Sequence, residues 1–523
     1  MRAAVGAVAA ILVGCGAPTS SLPSHVPPRV AGATALGPVG ADEPVTFVVA
    51  MKLRDRARLD ALLAAGATLT PAAFADAFAP SATEYADVVA ALRARGLAVT
   101  ESPTRTTLTA AGRAADVERA LGTTLIRYVD RNGAFRAPGE LVLAAGMEAF
   151  VDGVAGLDDA ARWWSQRVPG PPAPAPQGAS GSVEPADLAT MYDLGGAGLG
   201  DGETIAILGT GLPPANDDLD GYVAKFALPI DRARQYSQLF LGGPNRDPDG
   251  LVQNEYYENV LDAEMALAVA PHADVVHVLT ATNSPGLFSD GIVYIVNQLA
   301  RAHQVSVSYG TCERVAAGEM LVMNNLFAQA RAEGQQWFFA SGDNGTDGCR
   351  DGKGNKVLSV NWPASSPYVV AVGGTALDGA SEVAWSGGGG GQSEIIDKPA
   401  FQVGATPADG VRDEPDVAAL AGAPGVAIYA QGMLFAGVEG TSCATPMWAA
   451  VWALLDAGKG NHAGFSDGAE RLYALGRAGS AGLRDVTTGG IGDGTTPGYP
   501  ATAGWDFATG WGTPDVGALV TAW

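Results

Sequence analysis

Short runs of apolar residues recur along the C-terminal two thirds of the chain, and several of them are separated by helical stretches such as residues 321–333. Buried strands that alternate with helices predict an α/β fold, a mostly parallel sheet with helices on both faces. The segment 183–523 is long enough to bury one sizeable core. The apolar runs are residues 204–208, 275–280, 305–308, 337–340, 369–372 and 426–429.

The pattern is different between residues 46 and 160. A helical stretch that ends at residue 92 is followed by alternating segments at residues 106–109 and 124–128. Helices mixed with alternating strands predict a separate, small α+β domain.

Residues 161–182 contain repeated Pro, which cannot join a helix or the interior of a sheet. We expect an exposed, extended linker there, and exposed linkers are where proteases cut. A processed chain would then begin between residues 167 and 183.

The first 15 residues read as an export signal. One Arg precedes an apolar stretch that is too short to anchor a chain in a bilayer. The sequence Leu-Val-Gly-Cys at its end resembles a bacterial lipoprotein cleavage box, which implies a lipid on Cys15. Residues 16–45 would form a flexible tether, with the protein in the cell envelope, and in the outer membrane if the host has one. Ordinary secretion is the alternative, and cutting the linker would release the C-terminal part.

Charge is divided unevenly along the chain. The whole acidic excess follows residue 170, where 16 basic and 39 acidic side chains give the protein its net charge of −23. Such an excess disfavours nucleic acids and anionic membranes as partners. It suits an acidic environment, in which protonation relieves the repulsion between carboxylates.

A candidate nucleophile lies in the turn Gly-Thr-Ser that ends at Ser442, just ahead of a predicted helix over residues 444–456. The unpaired N–H groups at the start of a helix can stabilise an oxyanion. A serine nucleophile usually needs a histidine as its base. No histidine lies in a glycine-rich or acid-rich setting, and we interpret all five as surface or capping residues. They are His25, His272, His277, His303 and His462.

Two carboxylates offer another base. Glu258 and Asp262 are four residues apart in a predicted helix over residues 257–266, so both project from the same face. Such a pair can share one proton, which separates its two apparent pKa values. A solvated acidic face is the alternative interpretation.

The acidic pair, the Ser-Gly-Asp-Asn-Gly turn around Asp343 and the Gly-Thr-Ser turn follow one another in the order found in sedolisins. The chain thus resembles the sedolisin (serine-carboxyl peptidase, kumamolisin-like) family. The resemblance implies a subtilisin-like catalytic domain over residues 183–523 and an activation prodomain, ferredoxin-like, over residues 46–160. It also implies that Ser442 attacks the peptide bond, Glu258 takes its proton, Asp262 supports Glu258 and Asp343 lines the oxyanion hole.

An ionised Asp343 would repel an oxyanion, so it can help only when it is protonated. The resemblance therefore implies a peptidase that works in acid on protein or peptide substrates. We expect a self-processing zymogen and a monomer.

The family resemblance also implies one structural Ca²⁺ near the C-terminus. Carboxylates of Asp485 and Asp506, with main-chain carbonyls of Val486, Thr502 and Gly504, would form an oxygen shell suited to this hard cation. A glycine-rich surface loop with scattered Asp is the alternative.

Export permits a disulfide. Cys312 and Cys349 follow turns that should be close together in a parallel sheet, so we expect them to pair. Cys443 would then be a free, buried thiol beside the nucleophile; as a nucleophile itself it lacks a paired histidine.

Two departures from the family pattern concern its extended acid network. Leu208 stands where some relatives carry a further glutamate, and Tyr309 replaces the tryptophan that accompanies it. The choice between endopeptidase and tripeptidyl-peptidase stays open. Two other hypotheses are a catalytically silent, calcium-stabilised binding protein on the same fold and a subtilisin-type hydrolase that works near neutral pH. The first conflicts with the intact acid and serine set, and the second with the missing histidine.

Overall fold

The structure is a computed structural model. It describes residues 25–131, 133–143, 146–167, 173–174, 181–241, 252–350, 355–492, 494 and 496–523. The expected signal peptide, Cys15 and most of the Pro-rich linker lie outside the described residues.

The N-terminal region is a small α+β domain, as the sequence predicts. Its four-stranded antiparallel sheet has the order β3-β4-β2-β7, and a second antiparallel sheet has the order β1-β5-β6. Helix α3 begins with a capping box between Ser81 and Glu84, which satisfies two backbone N–H groups. The elements are β1 Thr34–Pro38, β2 Pro44–Met51, α1 Arg56–Ala64, α2 Pro71–Phe78, α3 Ala82–Arg93, β3 Ala98–Glu101, β4 Thr107–Arg113, α4 Ala114–Leu121, β5 Leu125–Asp130, β6 Gly133–Pro138 and β7 Val151–Ala155.

Residues 25–45 do not form the expected flexible tether. Strand β1 pairs antiparallel with β5, and His25 is buried, with its Nε2 accepting a hydrogen bond of 3.1 Å from the N–H of Val154. Arg29 forms an ion pair with Asp130 and lies over the ring of Phe135. The short polar and Pro-containing pattern of this segment gave no sign of these distant partners.

The C-terminal region contains the other elements. Its strands are β8 Trp164–Ser165, β9 Ala173–Pro174, β10 Thr204–Thr210, β11 Tyr236–Leu241, β12 Asp274–Thr280, β13 Gln304–Val307, β14 Tyr309–Cys312, β15 Gln336–Ala340, β16 Cys349–Arg350, β17 Lys356–Val357, β18 Asn361–Trp362, β19 Val370–Asp378, β20 Ser381–Ala384, β21 Gly391–Asp397, β22 Val411–Glu414, β23 Val417–Leu420, β24 Val426–Ala430, β25 Met433–Val438, β26 Leu483–Arg484, β27 Gly490–Ile491, β28 Tyr499–Pro500 and β29 Thr513–Pro514. Its helices are α5 Pro185–Met191, α6 Asn216–Phe226, α7 Arg232–Gln235, α8 Val252–Val269, α9 Pro285–Gln298, α10 Glu313–Ala332, α11 Thr441–Lys459, α12 Gly468–Arg477 and α13 Val516–Ala522.

The main sheet has the order β11-β12-β10-β13-β15-β19-β20, with β23 also paired to β19. All of its pairings are parallel except β19 with β20. This confirms the predicted sheet, with one exception. The run at residues 426–429 lies in β24, which pairs antiparallel with β25 outside the main sheet.

Side chains of β10 alternate between two cores. Ile205 and Ile207 pack in the core that contains α8 and α11, whereas Ala206 and Leu208 pack in the core that contains α9 and α10. This alternation follows from the period of two in a strand, and it places helices on both faces of the sheet. Within the described ranges, every helix is too short or too polar to span a lipid bilayer.

The N-terminal domain packs its sheet against α9 and α10. Val48 and Ala155 share the core of that face of the main sheet. The Asn325 side chain donates a hydrogen bond of 2.8 Å to Asp152, and Thr109 donates one of 2.6 Å to Asp290. The two domains are therefore joined by both apolar and polar contacts.

Candidate active site

The predicted acidic pair lies on α8 and is fully buried. Glu258 and Asp262 are one turn apart, on a helix that packs against α11. The Oδ1 atom of Asp262 accepts a hydrogen bond of 2.5 Å from the hydroxyl of Ser308, which follows β13. The pair is therefore not a solvated acidic face.

Ser442 is the second residue of α11, and it is buried. The helix begins one turn earlier than predicted, with Gly440 as its N-cap at a φ of 140°. A Cβ atom at Gly440 would lie 2.8 Å from Oδ2 of Asp343, and closer still to the carbonyl oxygen of Gln166. Only glycine fits here, both for its backbone angle and for its lack of a side chain.

Asp343 lies in the turn after β15 and faces the start of α11. Its Oδ1 atom accepts hydrogen bonds from the N–H of Thr441 at 2.7 Å and from the Thr441 hydroxyl at 2.8 Å. Its Oδ2 atom is buried and has no hydrogen-bond partner among the described residues. This oxygen is available to a group that enters the cleft.

Several other buried oxygens of this cluster are unpaired as well. Among the described residues, the hydroxyl of Ser442, both carboxyl oxygens of Glu258 and Oδ2 of Asp262 also have no hydrogen-bond partner. The Ser442 hydroxyl is near enough to lower the pKa of Glu258, but the two groups do not meet in hydrogen-bond geometry. We therefore describe them as neighbours. Each unpaired buried polar group costs about 1–3 kcal/mol, so this cluster is held together at a cost in stability.

Burial shifts the titration of all three carboxyl groups in the same direction. It raises the pKa of Glu258 well above its usual value, the charge of Asp262 adds to this, and Arg167 opposes it. Burial also raises the pKa of Asp262 well above its usual value, against the hydrogen bond from Ser308. The pKa of Asp343 rises to about 7 by burial, against its hydrogen bonds from Thr441.

A fourth carboxyl group, which was not predicted from the sequence, extends the acid cluster. Glu255 lies three residues before Glu258 on α8, and its carboxylate accepts a hydrogen bond of 2.5 Å from the hydroxyl of Tyr309. Burial raises the pKa of Glu255 to about 7. Leu208, in contrast, packs in the apolar core. The spacing of three residues between the glutamates was the signal available in the sequence.

Residues 164–167, the described start of the predicted linker, lie in the cleft between Ser308 and Ser442. Strand β8 pairs antiparallel with β14, the N–H of Gln166 donates to the carbonyl of Ser308, and the N–H of Ser442 donates to the carbonyl of Gln166, both at 2.8 Å. Nε of Arg167 lies 3.7 Å from Oε2 of Glu258. Residues 164–167 are therefore extended, as expected of the linker, but Gln166 and Arg167 are buried rather than exposed.

No described hydrogen bond or ion pair joins a histidine to Ser442 or Glu258. The interpretation of all five histidines as surface or capping residues is wrong for two of them. His277 is fully buried on β12, with its Nδ1 atom 3.1 Å from the hydroxyl of Tyr236, and burial lowers its pKa to about 3. His25, described above, is the other.

The cysteines follow the expectation. Cys312 and Cys349 form a disulfide, and Cys443 is free and buried. Burial raises the pKa of the Cys443 thiol well above its usual value, so the thiol is neutral and a poor nucleophile.

The residues of the predicted calcium site lie in two segments, one after β26 and one after β28, which are joined by hydrogen bonds. Oδ2 of Asp485 accepts a hydrogen bond of 2.8 Å from the N–H of Gly504, and Oδ2 of Asp506 accepts one of 2.6 Å from the N–H of Thr502. The described residues include no cluster of three His, Cys, Asp or Glu side chains suited to a metal ion. An ion held by the two carboxylates would need main-chain carbonyl groups, such as that of Val486, to complete its shell of oxygen ligands. A shell of carboxylate and carbonyl oxygens fits Ca²⁺.

Comparisons with known proteins agree with this architecture. Residues 31–160 match the pro-kumamolisin activation domain, and residues 250–512 match the subtilase family. The chain is 30% identical to sedolisin of Pseudomonas sp. (strain 101), over 96% of this chain and 91% of that protein. It is 29% identical to kumamolisin of Bacillus sp. (strain MN-32), over 94% of each.

Among solved structures, the chain resembles Pseudomonas sedolisin in complex with pseudo-iodotyrostatin, with a TM-score of 0.57 and 28% identity over 68% of this chain and 98% of that one. The chain belongs to the sedolisin family of serine peptidases, and it carries the activation domain of kumamolisin-type precursors.

Proposed function

We propose that this protein is the precursor of an acid-active serine-carboxyl endopeptidase that processes itself. The observation that carries the proposal is the buried pair of Glu258 and Asp262 beside Ser442, the serine at the start of α11. Among the described contacts, no histidine is bonded to Ser442 or to Glu258. A buried carboxylate pair can act as the base that a serine nucleophile needs.

In the proposed mechanism, the Ser442 hydroxyl attacks the carbonyl carbon of the peptide bond and Glu258 accepts its proton. Asp262, which accepts a hydrogen bond from Ser308, keeps the proton that the pair holds before the reaction and positions Glu258. The N–H of Ser442 and the protonated carboxyl of Asp343 stabilise the oxyanion. Glu258 then returns the proton to the leaving amine, and a water molecule hydrolyses the acyl-enzyme.

Acid activity follows from the role of Asp343. Its carboxyl donates a hydrogen bond only when protonated, and its pKa is about 7, so the donor is present below that pH and is lost above it. The acid limb of the pH–activity profile would come from full protonation of the Glu258 and Asp262 pair, which removes the base. Because burial raises both pKa values, this limb lies above the usual carboxyl range, and activity is confined between it and the loss of the Asp343 proton.

A structural Ca²⁺ is part of the proposal. Asp485 and Asp506, with carbonyls of Val486, Thr502 and Gly504, would bind the ion, and the ion would link the segment after β26 to the segment after β28. We expect a chelator to lower the melting temperature of the wild type and Ca²⁺ to restore it. Asp485→Asn should remove most of this response, because one carboxylate ligand is lost. An equal response in the variant would contradict the site.

We also propose that the chain is exported, with Cys15 carrying a lipid, and that it is a monomer. In a bacterial host, radiolabelled palmitate should be incorporated into the wild type and not into Cys15→Ala. Equal labelling of the two proteins would contradict the lipid site, and absence of label from both would favour ordinary secretion.

The central experiment measures hydrolysis of a denatured protein by the full chain between about pH 2 and pH 8. We expect activity in acid, together with a decrease to the mature size, and neither in Glu258→Ala. Glu264→Ala is the matched control because Glu264 is equally buried on α8 but bonds to the N–H of Tyr429 instead.

Three results would contradict the proposal. Activity near neutral pH that survives Glu258→Ala would place the base elsewhere. An equal loss in Glu264→Ala would mean that the effect is one of folding. No activity at any pH would favour the silent binding protein. Ser442→Ala should leave the precursor uncut, and its efficient cleavage with no other protease present would refute self-processing.

A further inference from the structure

Residues 164–165 form a short strand in the cleft. Ser165 is opposite Tyr309 and Trp164 is opposite Gly310 in the antiparallel ladder with β14. The N–H of Gln166 continues this ladder by donating to the carbonyl of Ser308, at 2.8 Å. Backbone pairing of this kind holds an extended peptide in one register, whatever its side chains are.

The carbonyl group of Gln166 marks the position of the chemistry. Its oxygen accepts a hydrogen bond of 2.8 Å from the N–H of Ser442. Both this oxygen and Oδ2 of Asp343 lie within 3 Å of the point where a Cβ atom of Gly440 would be. Oδ2 of Asp343 lacks a hydrogen-bond partner among the described residues. The carbonyl oxygen is therefore next to the two groups that would stabilise an oxyanion.

We propose that the bond between Gln166 and Arg167 is the first bond that the enzyme cuts in itself. This inference rests on the proposed function. Oγ of Ser442 would form an ester with the carbonyl carbon of Gln166, the bond to the nitrogen of Arg167 would break, and that nitrogen would take the proton held by Glu258. Hydrolysis of the ester then leaves a carboxyl group on Gln166 and the free serine. The first new N-terminus is thus Arg167, before the whole Pro-rich stretch.

The same register assigns side-chain preferences to the cleft. Trp163 is fully buried and its ring stacks on Phe288 with centroids 4.6 Å apart, whereas Trp164 is 47% exposed. The site therefore favours an aromatic side chain at the fourth position before the cut bond and tolerates many side chains at the third.

The residue just before the cut bond also meets a specific environment. The Gln166 side chain is 5% exposed, and its Oε1 atom lies 3.4 Å from Nδ2 of Asn361. Gly342, at a φ of 124°, leaves room at this point, since a Cβ there would collide with the Asn361 amide. The geometry assigns Asn361 as a specificity-determining residue for an uncharged polar side chain.

The first test follows the products of the full-length precursor after transfer to acid, with samples quenched in time and analysed by intact mass and N-terminal sequencing. We expect the earliest new N-terminus at Arg167 and the earliest new C-terminus at Gln166, at a rate that does not depend on protein concentration. An earliest N-terminus within residues 168–183, while the Gln166–Arg167 bond is intact, would overturn the inference.

This failure differs from failure of the proposed function. A wild type that hydrolyses a denatured protein but begins elsewhere contradicts only the cut position. A Ser442→Ala precursor that is cut as fast as the wild type contradicts the proposed function itself. A wild type that is neither cut nor active on any protein overturns both.

The second test uses processed wild-type enzyme and a synthetic peptide with the sequence of residues 161–170. We expect cleavage between Gln and Arg. The change Trp163→Ala in the peptide should lower kcat/KM roughly 10- to 100-fold, because a buried aromatic contact is lost. The matched change Trp164→Ala should alter it by less than about threefold, because that side chain is exposed. The reverse order would mean that the register is wrong.

The role of Asn361 is tested with the same peptides. In wild-type enzyme, we expect Gln before the cut bond to be preferred over Leu, and the ratio of their kcat/KM values should fall about tenfold or more in Asn361→Leu. The exposed change Trp164→Ala serves again as the peptide control. An unchanged ratio in the variant would overturn the assignment.

Discussion

Two sets of buried carboxyl groups lie in the catalytic domain, and they are bonded in opposite ways. Asp416 is fully buried, and Arg412 donates to both of its oxygens, at 2.8 and 2.6 Å, while the N–H of Ala371 donates at 2.8 Å. Glu258 is equally buried, yet neither of its oxygens has a hydrogen-bond partner among the described residues.

The difference shows that burial of an acid does not by itself indicate function. A buried charge with a bidentate partner and a backbone donor is a structural feature, because its desolvation is offset. Acids that are buried beside one another with carboxyl oxygens that lack hydrogen-bond partners are held there at a cost in stability, and they have perturbed pKa values. Such groups are candidates for catalysis.

The largest expected effect is that of Ser442→Ala. We expect kcat/KM to fall roughly 10⁶-fold, because the nucleophile is lost, with no decrease in the free energy of unfolding. The Ser442 hydroxyl has no hydrogen-bond partner among the described residues, so its removal breaks no described bond. Peptide hydrolysis and urea unfolding measure the two quantities. A large loss of stability would show that Ser442, like Asp416, stabilises the fold, which would contradict the distinction between the two sets of residues.

Asp416→Ala should have the converse result. Removing one partner leaves the charge of Arg412 buried and unpaired, so we expect the free energy of unfolding to fall by about 3–5 kcal/mol. Urea unfolding measures this change. The double variant Arg412→Met with Asp416→Leu should recover much of the loss, because it removes both charges. Activity per folded molecule should stay close to that of the wild type. If the free energy of unfolding of Asp416→Ala falls by much less than this, the ion pair does not contribute to stability as expected.

Asp343→Asn tests a carboxyl group that lies between these two cases, because one of its oxygens accepts hydrogen bonds from Thr441 and the other has no partner among the described residues. We expect kcat/KM at the acid optimum to stay within about tenfold of the wild type, because the Asn amide can donate from the same position, whereas Asp343→Ala, which loses the donor, should lower it by about 10²–10³. The alkaline limb should also move, because the pKa of Asp343 is about 7 in the wild type and an amide does not titrate. Wild-type activity should decline above about pH 7 on account of this group, and the variant should lack that decline. Peptide hydrolysis across pH measures both, and an identical alkaline limb would contradict the role of Asp343.

Tyr309→Phe should have the smallest effect. The hydroxyl that donates to Glu255 is lost, and this donation lowers the pKa of Glu255. Because the pKa of Glu255 is about 7, this carboxyl group is neutral in acid in both proteins, so the acid limb should stay in place. The two proteins should differ only near neutral pH, where Glu255 is charged in the wild type and raises the pKa of Glu258. The pH dependence of kcat/KM measures this difference. Glu255→Gln should behave like Tyr309→Phe, and a shift of the acid limb in either variant would contradict the electrostatic link.

Local pattern predicted the elements and the site residues to a large extent. The apolar runs predicted β10, β12, β13, β15 and β19, and the spacing of Glu258 and Asp262 predicted a shared helix face. The run at residues 426–429 was assigned to the wrong sheet, because an apolar strand of five residues carries no mark of its partner. The distant partners of His25 and His277 were invisible for the same reason.

By itself, the sequence determined the α/β class, the separate N-terminal domain and the order of acid pair, turn and serine. These features depend on residue type and on spacing along the chain, which periodicity and local chemistry control. The tertiary structure alone decided which oxygens are left without partners, that Tyr309 meets Glu255, and that Gln166 lies against Ser442. Those relations join residues far apart in the sequence. They arise only when parallel strands bring their ends to one edge of the sheet and the neighbouring helices exclude water there.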